Sequence, residues 1–154
     1  MSGPHIPFMD LHLSEDSAEV RQAIGRVIDG GWFVLGPEVD AFEREFAAAS
    51  GAPHAIGTGN GTDALALILR ALGIGPGDEV ITTPLSAAYT ALAILMSGAR
   101  PVFADIDPAR MTIDPEAAER AITSRSAALL PVHLYGQPAD MPALADLANR
   151  RGLA

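Results

Sequence analysis

The chain has 154 residues, about one domain's worth, with 49% hydrophobic and 19% charged residues, so it can bury a core and is not disordered. A formal net charge of −9 argues against nucleic acid or an anionic membrane surface as partner, and the absence of cysteine removes disulfides and thiolate metal sites. No run approaches the roughly 18 apolar residues of a membrane span, and the N-terminus has no charged start or long apolar stretch; a cytoplasmic protein is expected. All ten basic residues are arginine, so the chain contains no lysine.

In chain order, Ser14 to Gly30 reads as a helix. Val20, Ile24, Val27 and Ile28 make one apolar stripe, and Gly30-Gly31 stops it. Trp32 to Gly36 is a short apolar bridge. Pro37 suits a first helical position with Glu38 and Asp40 in the first turn, and this second helix carries Phe42 and Phe46 on one face before ending at Gly51.

An alternating pattern follows. Strands are expected at His54–Thr58, Glu79–Thr83, Pro101–Ile106 and Ala127–Leu134. Helices are expected at Thr62–Leu72, Ser86–Ser97, Pro115–Thr123 and Met141–Arg151. Four strands separated by helices predict an α/β fold, a mostly parallel sheet with helices on both faces. The nearly all-apolar strand Ala127–Leu134 is expected to be central. Arg150-Arg151-Gly152-Leu153-Ala154 reads as a helix stop with the start of another strand.

The segment Gly57-Thr58-Gly59-Asn60-Gly61-Thr62-Asp63 joins a strand to an apolar helix. Glycines allow a ligand to approach the backbone closely, and the first free N–H groups of the helix favour an anion by roughly 0.3–1 kcal/mol. A phosphate held at this turn is the preferred reading; a capped βα turn without ligand is the plain alternative. A dinucleotide fingerprint would need glycine at 62, where threonine stands, and a Walker loop needs lysine.

Several ordered blocks then carry a family resemblance. These are Gly31-Trp-Phe-Val-Leu-Gly-Pro-Glu-Val39, Phe42-Glu-Arg-Glu-Phe46, His54 to Leu65, Gly73 to Ile81, Gly98 to Asp107 and Pro131 to Met141. Together, from about Ile6 onward, they resemble the DegT/DnrJ/EryC1/StrS aminotransferases. The resemblance implies a fold-type I pyridoxal-phosphate (PLP) enzyme. Such enzymes transfer an amino group, typically from glutamate, to a keto-sugar nucleotide in amino-sugar biosynthesis, and they work as homodimers with active sites at the interface. It divides the chain into an N-terminal helix and bridge, 1–36, and an incomplete PLP-binding large domain, 37–154, with the smaller C-terminal domain absent.

On that resemblance Gly61 and Thr62 bind the cofactor phosphate and Asn60 shapes the turn. The family's usual ring-stacking aromatic falls at Ala87, with Tyr89 two residues later as the alternative; a Tyr89 packed into the core is the competing view. The family's later blocks supply an aspartate for the pyridine nitrogen and the lysine that attaches the cofactor, and the chain ends before both. Without that lysine no covalent anchor and no base for the proton shift exist, so the chain alone is expected to be inactive, with no catalytic residue of its own. A non-catalytic binding or regulatory remnant, or an unrelated nucleotide-binding α/β domain, are the alternatives.

Weaker candidates remain. His133 is expected at a strand's C-terminal end, where α/β sheets place ligands, or as a packed core histidine. Trp32 and Phe33 line the substrate side or belong to the core. His5, His12 and His54 lack metal-ligand spacing, and no metal is expected. Asp105 and Asp107 bind a cation or terminate a strand, with termination preferred, while Glu15-Asp16 and Glu43-Arg44-Glu45 read as solvated helix faces. Uncovered apolar surface is expected to leave the isolated chain poorly soluble or in need of a partner.

Overall fold

The structure, a computed structural model, describes residues 17–154, and these fall into two compact units, residues 17–57 and 58–154. Residues His5, His12, Ser14, Glu15 and Asp16, singled out above, lie outside the described residues.

The first unit holds α1 (Ser17–Gly30) and α2 (Pro37–Ser50). Gly31, with φ +64°, closes α1 by donating its N–H to the Val27 carbonyl at 3.0 Å. Pro37 starts α2 behind an extended Gly36, and Gly51 ends it with φ +68°. Only Ala47 is buried in these two helices. Phe42 and Phe46 do share a face, 5.6 Å apart between ring centroids, but both are more than half exposed.

The segment expected as a strand at 54–58 is not one. Among the described residues its backbone joins no ladder, and the Gly57 N–H donates to the Glu43 carboxylate at 2.6 Å instead of to a neighbouring strand's carbonyl. The acidic segment 43–45 is therefore not simply a solvated face: half-buried Glu43 closes the segment after α2. A Cβ at Gly57 would lie 3.3 Å from that carboxylate oxygen, so the first glycine of the turn answers to Glu43.

The second unit runs α3 (Gly61–Ala71), β1 (Glu79–Thr82), α4 (Tyr89–Ser97), β2 (Arg100–Phe103), β3 (Ile106–Asp107), β4 (Thr112–Ile113), α5 (Pro115–Ala121), β5 (Ser126–Leu129) and α6 (Met141–Arg151). Strands β2, β1 and β5 form a parallel sheet in that order, with Glu79 opposite Arg100 and Val80 opposite Ala128. β3 and β4 form a separate antiparallel pair. The architecture is the α/β type expected, with three parallel strands in place of four.

All four residues of β1 are buried, as a central parallel strand requires. Alternation sends Val80 to one face, with Leu69 of α3 and Ile94 of α4, and Ile81 to the other, with Ala117 and Ala118 of α5 and Leu144 and Leu147 of α6. Helices thus cover both faces of the sheet. Each of the buried valine, leucine and isoleucine side chains contributes about 1.5–3 kcal/mol, the alanines less.

Boundaries shift where side chains intervene. β2 stops at Phe103 rather than Ile106, because Asp105 Oδ1 takes the Ile106 N–H at 2.8 Å and the chain turns into β3. β5 stops at Leu129 rather than Leu134: Leu130 still donates to Ile81 O at 2.8 Å, but Pro131 has no N–H to continue the ladder. α5 ends at Ala121 rather than Thr123, whose hydroxyl is drawn to Glu79 at 2.7 Å. α4 begins at Tyr89 rather than Ser86, after a loop in which Ser86 N–H donates to Pro84 O. α6 matches its expected limits. The strand start read at the C-terminus is present as one residue: Ala154 donates to Ala127 O at 3.0 Å and accepts from Leu129 N–H at 2.9 Å, so β5 is bonded on both sides.

Candidate functional site

The C-terminal ends of parallel strands, where connecting loops meet helix N-termini, are where α/β sheets bind ligands. Here Thr82 donates its hydroxyl to Leu130 O at 2.8 Å, tying the ends of β1 and β5, and buried Thr83 accepts the Leu85 N–H at 3.2 Å.

Asn60 is the N-cap of α3. Its Oδ1 accepts the Asp63 N–H at 2.9 Å, and its Nδ2 donates to Asp63 Oδ2 at 2.8 Å. The Asn60 carbonyl takes the Thr58 hydroxyl at 3.1 Å and the Ala64 N–H at 3.1 Å. The cap thus uses the third and fourth N–H groups of the helix. Among the described residues no acceptor meets the N–H groups of Gly61 and Thr62 or the Thr62 hydroxyl. A Cβ at Gly61 would meet nothing within 4 Å, so the first helical residue faces open space. Donors without acceptors among the described residues, an open approach and the positive end of the helix dipole are the features that an anion requires of its surroundings.

An open pocket of about 960 Å³ brings this terminus together with the start of α4: it is lined by Asn60 to Leu65, Tyr89 and Thr90. Tyr89 is 64% exposed, so it is not packed into the core, and it presents an aromatic surface to the pocket. Ala87 is exposed and does not line it. Thr90, buried and 3.2 Å from the Ser86 hydroxyl, is a lining residue that sequence reading missed. Only a correct start for α4 would have drawn attention to it.

His133 sits four residues beyond β5, not on a strand, and is exposed. Its Nδ1 accepts the Ala139 N–H at 3.1 Å. Trp32 belongs to the other unit. It is 64% exposed and donates its indole N–H to Val34 O at 2.9 Å, and Phe33 is likewise exposed; neither is core. Asp105 and Asp107 accept backbone N–H groups of Ile106 and Ala109, as strand-ending residues do.

The opposite end of the sheet holds a group that sequence reading did not single out. The Glu79 carboxylate, 1% exposed, accepts from Thr123 Oγ1 at 2.7 Å, Arg100 at 2.6 Å and Arg125 Nε at 2.8 Å. The Thr123 hydroxyl foremost, then the guanidinium groups of Arg100 and Arg125, hold its pKa down at about 2 against the opposing effect of burial. Glu79 joins the N-terminal ends of β1, β2 and β5, and so fixes the frame whose other end carries the pocket.

Comparison with known proteins identifies the family. A family profile of the DegT/DnrJ/EryC1/StrS aminotransferases matches residues 14–154. The chain is 51% identical over 152 residues to the dTDP-3-amino-3,4,6-trideoxy-alpha-D-glucose transaminase of Streptomyces venezuelae, covering 97% of this chain and 40% of that protein. The crystal structure of S. venezuelae DesV in complex with a ketimine intermediate superimposes with a TM-score of 0.90 at 51% identity, over 98% of this chain and 41% of that one. NtdA from Bacillus subtilis with bound cofactor PMP superimposes with a TM-score of 0.90 at 36% identity, over 99% and 36%. The chain therefore spans about 40% of the length of the curated relatives it matches. An unrelated nucleotide-binding α/β domain, one of the alternatives, is ruled out by these matches. The chain belongs to the DegT/DnrJ/EryC1/StrS aminotransferase family.

Proposed function

We propose that these 154 residues form the N-terminal, phosphate-holding part of a PLP-dependent aminotransferase that acts on a keto-sugar nucleotide with an amino donor such as glutamate, as a homodimer in the cytoplasm. The observation that carries the reading is the start of α3, where the Gly61 and Thr62 N–H groups and the Thr62 hydroxyl are free to receive an anion. That donor set fits the phosphate of PLP, and the family membership says which phosphate to expect.

In this proposal Gly61 and Thr62 bind the phosphate and Asn60 holds the turn in shape through Asp63. Tyr89 covers the pyridine ring from the start of α4, while the small Ala87 leaves room beside it. Trp32 and His133 serve the substrate side. When bound, PLP supplies the electron sink that lets an amino donor's α-proton leave. The chain's residues bind and orient it, but no side-chain amine is present to anchor it or to move that proton, since the sequence contains no lysine. Residues 1–154 alone therefore do not transfer amino groups. The same absence favours a second reading, a non-catalytic binding module that keeps the phosphate turn.

Absorbance titration of the chain with PLP, and separately with pyridoxal, tests the cofactor assignment. Saturable binding of PLP with much weaker binding of pyridoxal is expected, with no amino transfer from glutamate. Equal affinity for both would remove the phosphate assignment, and turnover by the lysine-free chain would overturn the predicted inactivity.

A further inference from the structure

Beyond β5 the chain makes a tight loop at the C-terminal end of the sheet. Leu134–Gly136 is a single 3₁₀ turn in which Tyr135 has φ +54° and Gly136 φ +77°, closed by Gln137 N–H donating to Leu134 O at 2.9 Å. A tyrosine in the left-handed region costs roughly 1–2 kcal/mol and persists only where its surroundings hold it. The anchor on the far side is Ala139, 4% exposed and part of the core cluster with Ile81, Leu144 and Leu147. Its carbonyl takes the Met141 N–H at 2.7 Å as α6 begins. Among the described residues one side-chain hydrogen bond ties this loop to that anchor, the Ala139 N–H donated to His133 Nδ1 at 3.1 Å.

A nitrogen that accepts an N–H bond carries no proton, so in the neutral imidazole the proton sits on Nε2. His133 is exposed, and among the described residues nothing accepts from Nε2. We propose that His133 is a positioning residue: its Nδ1 holds the Tyr135–Gly136 turn in place, and its Nε2–H is offered to the ligand as a hydrogen-bond donor. With Nδ1 engaged by the Ala139 N–H, the neutral ring carries its one proton on Nε2. It presents one donor, suited to a carbonyl, carboxylate or phosphate oxygen. The ligand side of this role rests on reading the C-terminal end of the sheet as the binding end; the tautomer rests on geometry alone.

Long-range ¹H–¹⁵N spectra of the labelled 154-residue chain at about pH 8, above the ordinary imidazole range, read the tautomer directly and need no cofactor. Failure here is thereby distinguishable from failure of the PLP reading, which the PLP and pyridoxal titrations address. The expected result is a single neutral form with Nε2 protonated and Nδ1 bare. Protonated Nδ1, or a rapid mixture of both forms, overturns the proposal. Amide exchange supplies the second arm. In His133→Asn the side-chain oxygen falls near the place of Nδ1 and should keep Ala139 exchange within about threefold of the native chain, whereas His133→Gln, whose oxygen lies one bond farther out, should speed it by roughly tenfold. Equal exchange in the two variants, fast or slow, contradicts the assignment.

Discussion

Asn60 caps α3 and is held in place by Asp63: its side-chain Oδ1 accepts the Asp63 N–H at 2.9 Å while its Nδ2 donates to the Asp63 carboxylate at 2.8 Å. The pair takes up the Asp63 N–H, and among the described residues the N–H groups of Gly61 and Thr62 meet no acceptor. Asn60→Ala should cost about 1 kcal/mol of stability in urea unfolding, the usual loss for a removed N-cap, and should also weaken PLP binding. Asn60→Asp keeps an oxygen for the Asp63 N–H but sets a second carboxylate beside Asp63, so it should weaken PLP binding more than it weakens the fold.

Glu79 predicts a pH dependence. Its carboxyl ionises at about 2 in the folded chain, below the ordinary glutamate value, because Thr123, Arg100 and Arg125 bond to the charged form. A depressed folded value means the stabilisation is fully present above the unfolded pKa, about 4.3, and is lost as pH falls through that value toward 2. Glu79→Gln should lower stability at neutral pH and flatten the part of the acid limb between about pH 4 and 2, measured by thermal unfolding across that window. An acid limb identical in the variant would show that other carboxylates set it.

Burial separates two apolar positions that look alike in sequence. Ile81 is fully buried at the centre of the sheet, so Ile81→Ala should cost about 2–5 kcal/mol. Phe42 is 57% exposed, and Phe42→Ala should cost under about 1 kcal/mol despite removing a larger side chain. Denaturant unfolding of the two variants gives the comparison.

Gly98 closes α4 with φ +92°, and a Cβ there would sit 3.0 Å from the Pro76 ring. Gly136 also has a positive φ, but its Cβ would meet nothing within 4 Å. Gly98→Ala should therefore destabilise by more than about 1 kcal/mol and by more than Gly136→Ala, since only the first adds a clash to the backbone strain. Melting temperatures of both variants check the order.

Where a stop or a cap is local, the sequence announced it. Pro37, Gly51, Gly98 and Gly152 bound helices as read, and the turn at Asn60 was legible because glycine, an N-capping side chain and an apolar helix follow one another within a few residues. What sequence did not show depends on distant partners. Residues 54–58 have a strand's composition, yet the one described partner of their backbone N–H groups is the Glu43 carboxylate, which Gly57 meets from fourteen residues away. The apolar run after Leu129 leaves the ladder at Pro131. Glu79 looked like an ordinary charge at a strand start, because Arg100 and Arg125 meet it only once three strands are aligned. Tyr89 was left between core and pocket, a choice that required the start of α4.

The proposed role of the α3 start, holding the phosphate of PLP, turns on its donors. Thr62→Val removes one donor and keeps the shape, and because the hydroxyl has no acceptor among the described residues, unfolding in urea should be nearly unchanged. The most direct measurement is the dissociation constant of PLP, beside that of pyridoxal, for the native chain and for Thr62→Val. PLP binding should be at least roughly tenfold weaker in the variant, as a lost bond to a charged group would give, with pyridoxal binding unaltered. PLP affinity unchanged in a folded Thr62→Val chain, or lost equally for pyridoxal, would contradict that role.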